Sequence, residues 1–195
     1  MFTGIIEALG KVEKIEKEGT NVHFTIKSDL ANELKIDQSL AHNGVCLTVV
    51  DVQPSSYRVT AINETIQKSN LGFLKIGNII NLERAMPANG RFDGHVVQGH
   101  VDGTAICVNK ADEKGSWSFT FEYENNQHIT VEKGSITING VSLTVVNSMQ
   151  NQFSVCIIPY TFENTSFKEI QIGSIVNLEF DIIGKYVERL LAYRK

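Results

Sequence analysis

An eight-residue segment occurs twice in this chain and constrains its fold more than any other feature. Residues 43–50, NGVCLTVV, return as NGVSLTVV at residues 139–146, so the copies lie 96 positions apart and differ at one residue. The same offset holds over a longer stretch, because 17 of the 48 residues in 36–83 are identical to those in 132–179. A repeat at a fixed period of this size marks a duplicated structural unit. We therefore expect two similar domains within the 195 residues.

Runs of alternating apolar and polar residues predict short β-strands in each unit. In the first unit these runs cover residues 20–27, 40–52, 57–62 and 79–83, and residues 64–71 are expected to hold one helical turn. Five or six short strands without a long helix favour a closed antiparallel barrel, because closure leaves no exposed sheet edge. The predicted fold is all-β, with two tandem six-stranded antiparallel Greek-key barrels related by a pseudo-two-fold duplication.

The last residues belong to neither repeat and predict a helix. Ile183, Val187, Leu190 and Leu191 have helical spacing, with charged residues between them. Such an apolar stripe has to be buried, either against the barrels of the same chain or by self-association. The expected domains are residues 1–88 for the first barrel, 89–184 for the second and 185–195 for an oligomerisation helix, with a linker over residues 85–94.

Composition and charge exclude several classes of function. The net charge is −4 with scattered lysines, which is unlike a nucleic-acid-binding surface. No apolar run reaches the 18 to 20 residues that cross a membrane, and the first residues lack the pattern of a secretory signal. The three cysteines are far apart, so we expect reduced thiols in a cytoplasmic protein. His95 and His100 would face opposite sides of a strand, so no metal site is expected.

The repeated segment predicts a binding surface as well as a turn. Asn-Gly before a β-run is a turn signal in both copies. On the strand that follows, Cys46 and Thr48 share one face, as Ser142 and Thr144 do in the second copy. Small polar groups on one face suit a shallow pocket for a flat, polar heterocycle. A pair of buried hydroxyl groups bonded to their own neighbours is the alternative.

Differences between the copies indicate where chemistry occurs. His100 corresponds to Ile5, and the nearby Asp102 could orient its imidazole, although a surface His-Asp pair is equally compatible with the sequence. Tyr160 corresponds to Glu64. The two pockets would then share a binding scaffold but differ in ionisable groups, so they could bind one ring twice and treat the two copies differently. A serine-hydrolase mechanism is not indicated, because no Gly-x-Ser-x-Gly motif surrounds Ser142.

Taken together, these motifs resemble the riboflavin synthase family, α-chain type. The resemblance covers essentially the whole chain and rests on the start MFTGIIE, the two repeated segments, QGHVDG at residues 98–103 and YVERLL at residues 186–191. It implies that three chains associate through the C-terminal helix, and that each active site lies between the first barrel of one chain and the second barrel of a neighbour. Lumazine synthase is a further candidate partner.

The resemblance also implies a reaction and its residues. Two molecules of 6,7-dimethyl-8-ribityllumazine would dismutate to riboflavin and 5-amino-6-ribitylamino-uracil, with no metal or redox cofactor. The first socket would use Gly4, Ile5, Ile6, Cys46, Leu47, Thr48, Thr60, Ala61, Ile62, Asn63, Glu64 and Thr65. The second would use Gly99, His100, Val101, Lys133, Ser142, Leu143, Thr144, Cys156, Ile157, Ile158, Pro159, Tyr160 and Thr161. Positions at or near the chemistry are Phe2, Ser39, Cys46, His100, Ser142 and Asp181.

Roles can be argued for some of these side chains. His100 is suited to accept the proton of the acidic C7 methyl group. The nucleophile that adds to the second ring is water, Ser142, Cys46 or Ser39. Tyr160 departs from the family, which often has glutamate there, and a phenol supplies no charge at neutral pH.

Two other functions are compatible with such barrels. A lumazine or flavin antenna would bind one fluorophore without turnover, but its second copy is expected to be eroded, whereas here His100 and Ser142 are present. A flavin-binding barrel of a reductase would need a nucleotide-binding domain, and no Gly-x-Gly-x-x-Gly fingerprint is found.

Overall fold

A computed structural model describes residues 1–124 and 128–193 and confirms two closed six-stranded antiparallel barrels. The strands of the first barrel are β1 (Ala8–Glu18), β2 (Asn21–Lys27), β3 (Ser39–His42), β4 (Val45–Val52), β5 (Ser56–Ala61) and β6 (Ile79–Arg84). Those of the second are β7 (Gly103–Asp112), β8 (Trp117–Tyr123), β9 (Ser135–Ile138), β10 (Val141–Val146), β11 (Gln152–Ile157) and β12 (Ile175–Phe180).

Both barrels use the same strand order, which is the structural form of the duplication. The order is β1-β2-β5-β4-β3-β6 in the first barrel and β7-β8-β11-β10-β9-β12 in the second, each closing on itself. Their longest strands carry a bulge at equivalent places, between Val12 and Lys14 and between Cys107 and Asn109. A bulge bends a strand and increases its twist, which helps a long strand follow a small barrel. Each barrel encloses its own apolar core.

Short helices follow the fifth strand of each barrel. They are α1 (Asn63–Lys68) and α2 (Pro159–Asn164), each followed by a 3-10 turn, Asn70–Phe73 and Ser166–Glu169. The expected helical turn at residues 64–71 is therefore confirmed. The last helix, α3 (Ile182–Ala192), is capped at its N-terminus by Asp181, whose carboxylate accepts from the N–H of Ile183 at 3.0 Å. Of the segment expected to form this helix, residues 194–195 lie outside the described residues.

The expectation of one strand over residues 40–52 is wrong. Asn43 and Gly44, with φ of 46° and 81°, form a tight turn that separates β3 from β4, and Asn139-Gly140 does the same in the second barrel with equal angles. Two successive residues at positive φ characterise the hairpin turn whose twist matches that of the strands.

These two turns also join the barrels. The side-chain amide of Asn81 donates to the carbonyl oxygen of Asn139, and Asn177 donates to that of Asn43, both at 2.8 Å. A Cβ on Gly44 would lie 2.8 Å from the backbone nitrogen of Gly140, so the turns touch. The Asn-Gly pairs therefore form the contact on the pseudo-two-fold axis as well as a turn within each barrel.

Helix α3 keeps its apolar stripe exposed. The side chains of Ile183, Tyr186, Leu190 and Leu191 are each more than half exposed. The helical spacing is confirmed, and in a single chain the stripe is not buried against the barrels. Among the described residues, no helix combines the length and apolar character required to cross a membrane.

Candidate functional site

Two equivalent segments, residues 1–6 and 96–101, cross between the barrels. Phe2 and Val97 occupy corresponding positions and form an antiparallel bridge, with N–H···O distances of 2.7 and 3.1 Å. Phe2 is 1% exposed and packs beside Ala41 and Cys46 of the first barrel. The pseudo-two-fold axis therefore passes between these two segments, and both continue toward the candidate sockets.

Each segment completes the socket of the barrel that it does not lead into. The carbonyl oxygen of Gly99, which precedes the second barrel, accepts from the N–H of Cys46 in the first barrel at 2.9 Å. The carbonyl oxygen of Gly4, which precedes the first barrel, accepts from the N–H of Ser142 in the second at 2.8 Å. Ile6 packs against the second core.

The grouping of Gly4–Ile6 with Cys46, and of Gly99–Val101 with Ser142, is therefore wrong. Residues 4–6 belong with Ser142, and residues 99–101 belong with Cys46. The sequence grouped each segment with the barrel that follows it, whereas the hydrogen bonds to β4 and β10 form across the axis.

Two buried glutamates hold the crossing segments in place. Glu83, on β6, accepts from the N–H and hydroxyl of Thr3 at 2.6 and 2.8 Å and from the N–H of Gly4 at 3.0 Å. Glu179, on β12, accepts from the N–H groups of Gln98, Gly99 and His100 at 2.6, 3.0 and 3.0 Å. Burial raises the pKa of both carboxyls, and the backbone hydrogen bonds oppose that rise.

A cavity of about 530 Å³ opens at the first socket. It brings together six of the predicted site residues from β4, α1 and the crossing segment: Cys46, Glu64, Thr65, Gly99, His100 and Val101. The rest of its polar wall consists of Lys68, Ser69, Asp102, His128 and Lys185. The cavity has the size of a small-molecule site and combines an imidazole, a thiol and several charges.

Asp102 does not orient His100. Its carboxylate lies 2.6 Å from the Nζ of Lys185 on α3 and accepts from the N–H of Phe180 at 2.9 Å. Within residues 1–124 and 128–193, the imidazole of His100 makes no hydrogen bond and is exposed at the mouth of the cavity. Asp102 therefore ties the wall of the socket to the C-terminal helix, while His100 stays available to a ligand.

The second socket places a histidine against Ser142. His95 Nδ1 lies 2.7 Å from Ser142 Oγ, and His95 Nε2 lies 3.2 Å from Thr137 Oγ1. Burial lowers the pKa of His95, and the negative charge of Asp181 opposes this shift. A neutral imidazole hydrogen-bonded to a hydroxyl can accept its proton, which is the arrangement that activates an oxygen nucleophile.

The other predicted residues divide between the surface and the cores. Leu47, Ala61 and Ile157 point into the barrel cores, while Leu143 packs against the second core and Thr60 is partly buried. The side chains of Ile5, Ile62, Ile158 and Tyr160 are exposed, the last by 73%. The remaining exposed positions are Thr48, Asn63, Thr144, Cys156 and Pro159, while Thr161 is half-buried.

Three further predicted residues lie on the borders of the sockets. Ser39 is on β3 in register with Thr48, and Asp181 caps α3. Lys133 lies in a turn with φ of 62° and donates its N–H to Val145 at 3.0 Å. The structure thus gives Lys133 a backbone role in the turn before β9, and its side chain is exposed.

Sequence reasoning missed Glu83, Glu179 and the contact of His95 with Ser142. The two glutamates were visible as part of the repeated Asn-Leu-Glu of residues 81–83 and 177–179, but only as identities. The sequence signal that could have found them is a charged residue that both copies carry within an apolar strand. Such a residue needs internal partners when it is buried. From the sequence, His95 is a candidate only as a metal ligand. No group of three or more His, Cys, Asp or Glu suited to a metal occurs in the described parts of the chain.

Comparison with known proteins agrees with this architecture. The model of the lumazine binding domain matches residues 3–85 and again residues 98–181. Riboflavin synthase of Actinobacillus pleuropneumoniae is 44% identical over 193 residues, which cover 98% of this chain and 90% of that protein. The enzyme of Bacillus subtilis (strain 168) is 43% identical over 195 residues with the same coverage.

Among solved structures, the protein LumP in complex with 6,7-dimethyl-8-(1'-D-ribityl) lumazine superposes with a TM-score of 0.84. It is 22% identical, and the match covers 92% of this chain and 99% of LumP, so it shows the shared fold. With a lumazine-binding domain in each half and riboflavin synthases aligned along almost its whole length, the chain belongs to the riboflavin synthase family.

Proposed function

We propose that this protein is a transferase that converts two molecules of 6,7-dimethyl-8-ribityllumazine into riboflavin and 5-amino-6-ribitylamino-uracil. One lumazine donates a four-carbon unit to the other. The observation that carries the proposal is the crossing of two equivalent segments, of which one brings His100 to the cavity beside Cys46 and the other, next to Ser142, has Ile5 at the corresponding position. One substrate can then lose a proton while the second is held for addition.

His100 supports the first step of this reaction. The C7 methyl group of the lumazine is acidic because its carbanion is delocalised into the ring. An exposed imidazole at the mouth of the first socket is suited to take that proton near neutral pH.

Ser142 supports the second step. Its hydroxyl is hydrogen-bonded to His95, so it can add to C7 of the other ring or hold the water that adds there. Cys46 and Ser39 remain candidates for the same role. Holding two rings in opposition also removes much of the entropic barrier. In well-oriented intramolecular reactions this effect reaches about 7–11 kcal/mol.

The exposed stripe of α3 supports association into a trimer. Five apolar side chains on one helix, each at least half exposed, leave a surface that a second copy can cover: Ile183, Tyr186, Val187, Leu190 and Leu191. In the proposed trimer a first socket of one chain would face a second socket of its neighbour. Lumazine synthase, which would supply the substrate, is a further proposed partner, and the cytoplasm is the proposed location.

A direct assay tests the function. The purified protein is mixed with 6,7-dimethyl-8-ribityllumazine, riboflavin formation is followed by absorbance, and a sample without protein corrects for spontaneous reaction. We expect one riboflavin for every two lumazines consumed. Tight binding without product over hours would instead identify an antenna protein and exclude the enzyme.

A further inference from the structure

The carboxylate of Glu179 binds three successive backbone N–H groups. Oε1 accepts from Gln98, and Oε2 accepts from both Gly99 and His100. Glu179 is 3% exposed, and on β12 it alternates with Leu178 and Phe180, which point into the second core. Its side chain is therefore directed out of the barrel and into the crossing segment.

The peptide that Glu179 binds is fixed from its other side as well. The carbonyl oxygen of Gly99 accepts from the N–H of Cys46, so the same residue is bonded to both barrels. Gly99 has φ of 78°, and a Cβ there would lie 2.7 Å from Cys46 Cβ and 2.8 Å from Phe2 Cε2. A positive φ turns neighbouring N–H groups toward one point, where an anion binds them together.

The first repeat provides a matched comparison. Glu83 binds the N–H groups of Thr3 and Gly4 and takes its third hydrogen bond from the hydroxyl of Thr3. No hydrogen bond joins Glu83 to the N–H of Ile5 in the described chain. Glu179 thus binds the backbone N–H of His100 directly, whereas Glu83 does not bind the N–H of Ile5, the equivalent residue.

We infer that Glu179 is a positioning residue for His100, fixing the backbone from which the imidazole reaches the substrate in the first socket. The inference rests on the proposed function. Only an acceptor with two equivalent oxygens serves all three N–H groups, because glutamine would direct an amide N–H at one of these donors. Displacing a catalytic group by about 1 Å can cost on the order of 100-fold in rate.

A double-mutant cycle tests whether Glu179 acts through His100. Turnover and lumazine affinity are measured for wild type, Glu179→Gln, His100→Gln and the double variant. We expect Glu179→Gln to lower kcat at least tenfold while KM changes less than about threefold. In the His100→Gln background the same substitution should change kcat less than about twofold, since the group that it positions is gone.

Glu83→Gln is the control for a general loss of structure. Its effect on turnover should persist in the His100→Gln background, because Glu83 holds the segment beside Ser142. The backbone N–H signal of His100 gives a readout that does not depend on activity: losing the carboxylate partner should shift this proton upfield in the NMR spectrum of Glu179→Gln.

The outcomes are distinguishable. Unchanged kcat in Glu179→Gln, or a loss that is fully additive with His100→Gln, overturns the inference while wild-type riboflavin formation leaves the proposed function standing. If Glu179→Gln does not fold, Glu179→Asp keeps the carboxylate, withdraws it from the three N–H groups by one methylene and enters the same cycle. Full additivity there overturns the inference equally.

Discussion

The N–H of Cys46 in the first barrel donates to the carbonyl oxygen of Gly99, 53 residues further along, at 2.9 Å. The equivalent bond joins Ser142 to Gly4 across the pseudo-two-fold axis at 2.8 Å. Each socket is thus built from one barrel and from the segment that leads into the other barrel. The two barrels cannot move apart without opening both sockets, so their packing is part of the site.

Because the two segments cross, alanine substitutions at Gly99 and Gly4 should have opposite effects on lumazine binding beside Cys46. Gly99→Ala would place a methyl group against Cys46, and Gly4→Ala would place one 2.5 Å from Ser142 Cβ. In a Cys156→Ala background, lumazine should protect the Cys46 thiol from a thiol reagent in wild type and in Gly4→Ala, but not in Gly99→Ala. Mass spectrometry measures the labelling of Cys46 alone in this background, because Cys156 has been replaced and Cys107 is buried.

The control for these variants is Gly19→Ala. Gly19 has φ of 60°, but nothing lies within 4 Å of an added Cβ, so only backbone strain of about 1–2 kcal/mol is introduced. Protection should remain. Loss of protection in Gly4→Ala with protection kept in Gly99→Ala would instead support uncrossed sockets.

His100→Gln should slow turnover much more than it weakens binding. Glutamine keeps a polar side chain of similar length but cannot accept a proton near neutral pH, so we expect kcat to fall about 100-fold. The lumazine dissociation constant, measured on the same protein by fluorescence quenching, should change less than about threefold. An unchanged kcat would remove the proton-transfer role.

His42 should make the first barrel sensitive to acid. It is 1% exposed, with Nδ1 3.0 Å from the carbonyl oxygen of Leu40 and Nε2 2.9 Å from the hydroxyl of Tyr57. Burial lowers the pKa of His42 from 6.5 to about 4. Below pH 6.5 the unfolded chain therefore takes up a proton that the folded chain does not, and stability falls between about pH 6.5 and 4, by up to about 3 kcal/mol.

The second barrel supplies the matched variant for this test. Ile138 and Phe153 occupy the positions equivalent to His42 and Tyr57 and are fully buried. The free energy of unfolding is measured in urea across this pH range. The double variant His42→Ile, Tyr57→Phe should lack the part of its pH dependence that His42 contributes. An identical pH profile for wild type and the double variant would contradict the assignment to His42.

Asn81→Ala should weaken the contact between the barrels. The Asn81 amide donates to the carbonyl oxygen of Asn139, and its Oδ1 accepts from the N–H of Ser166 at 2.7 Å. Two buried groups would lose their partner, so the free energy of unfolding should fall by about 3 kcal/mol. Asn78→Ala is the control, because Asn78 is exposed and its side chain bonds only within its own turn, and it should cost less than about 1 kcal/mol.

Leu190→Glu should dissociate the proposed trimer. Leu190 is 65% exposed on α3, and a carboxylate there would be buried without a partner in any helix-mediated interface. Light scattering should give about three times the chain mass of 21.7 kDa for wild type and one chain mass for the variant, with loss of activity.

The matched control for the helix is Ile76→Glu. Ile76 is 67% exposed but lies outside α3, so this variant should remain assembled. Deleting residues 185–195 should also dissociate the assembly, but it removes the Lys185–Asp102 ion pair at the same time. An active monomeric Leu190→Glu protein would show that the site needs only one chain.

The sequence by itself determined the two barrels and their helix. The repeat of residues 43–50 at 139–146, the alternation of the strands and the helical spacing of Ile183, Val187 and Leu190 are local patterns, and local patterns fix the element type and its apolar face. The same alternation correctly placed Cys46 toward the socket and Leu47 toward the core.

Tertiary structure alone decided which segments meet. Residues 4–6 and 99–101 are equivalent in the repeat, so no local preference distinguishes the barrel that each one completes. The choice depends on hydrogen bonds to Cys46 and Ser142 and on the buried carboxylates of Glu83 and Glu179, which lie about 80 residues away in the chain. Such contacts form only when the two barrels pack about their axis, and that packing completes both sockets.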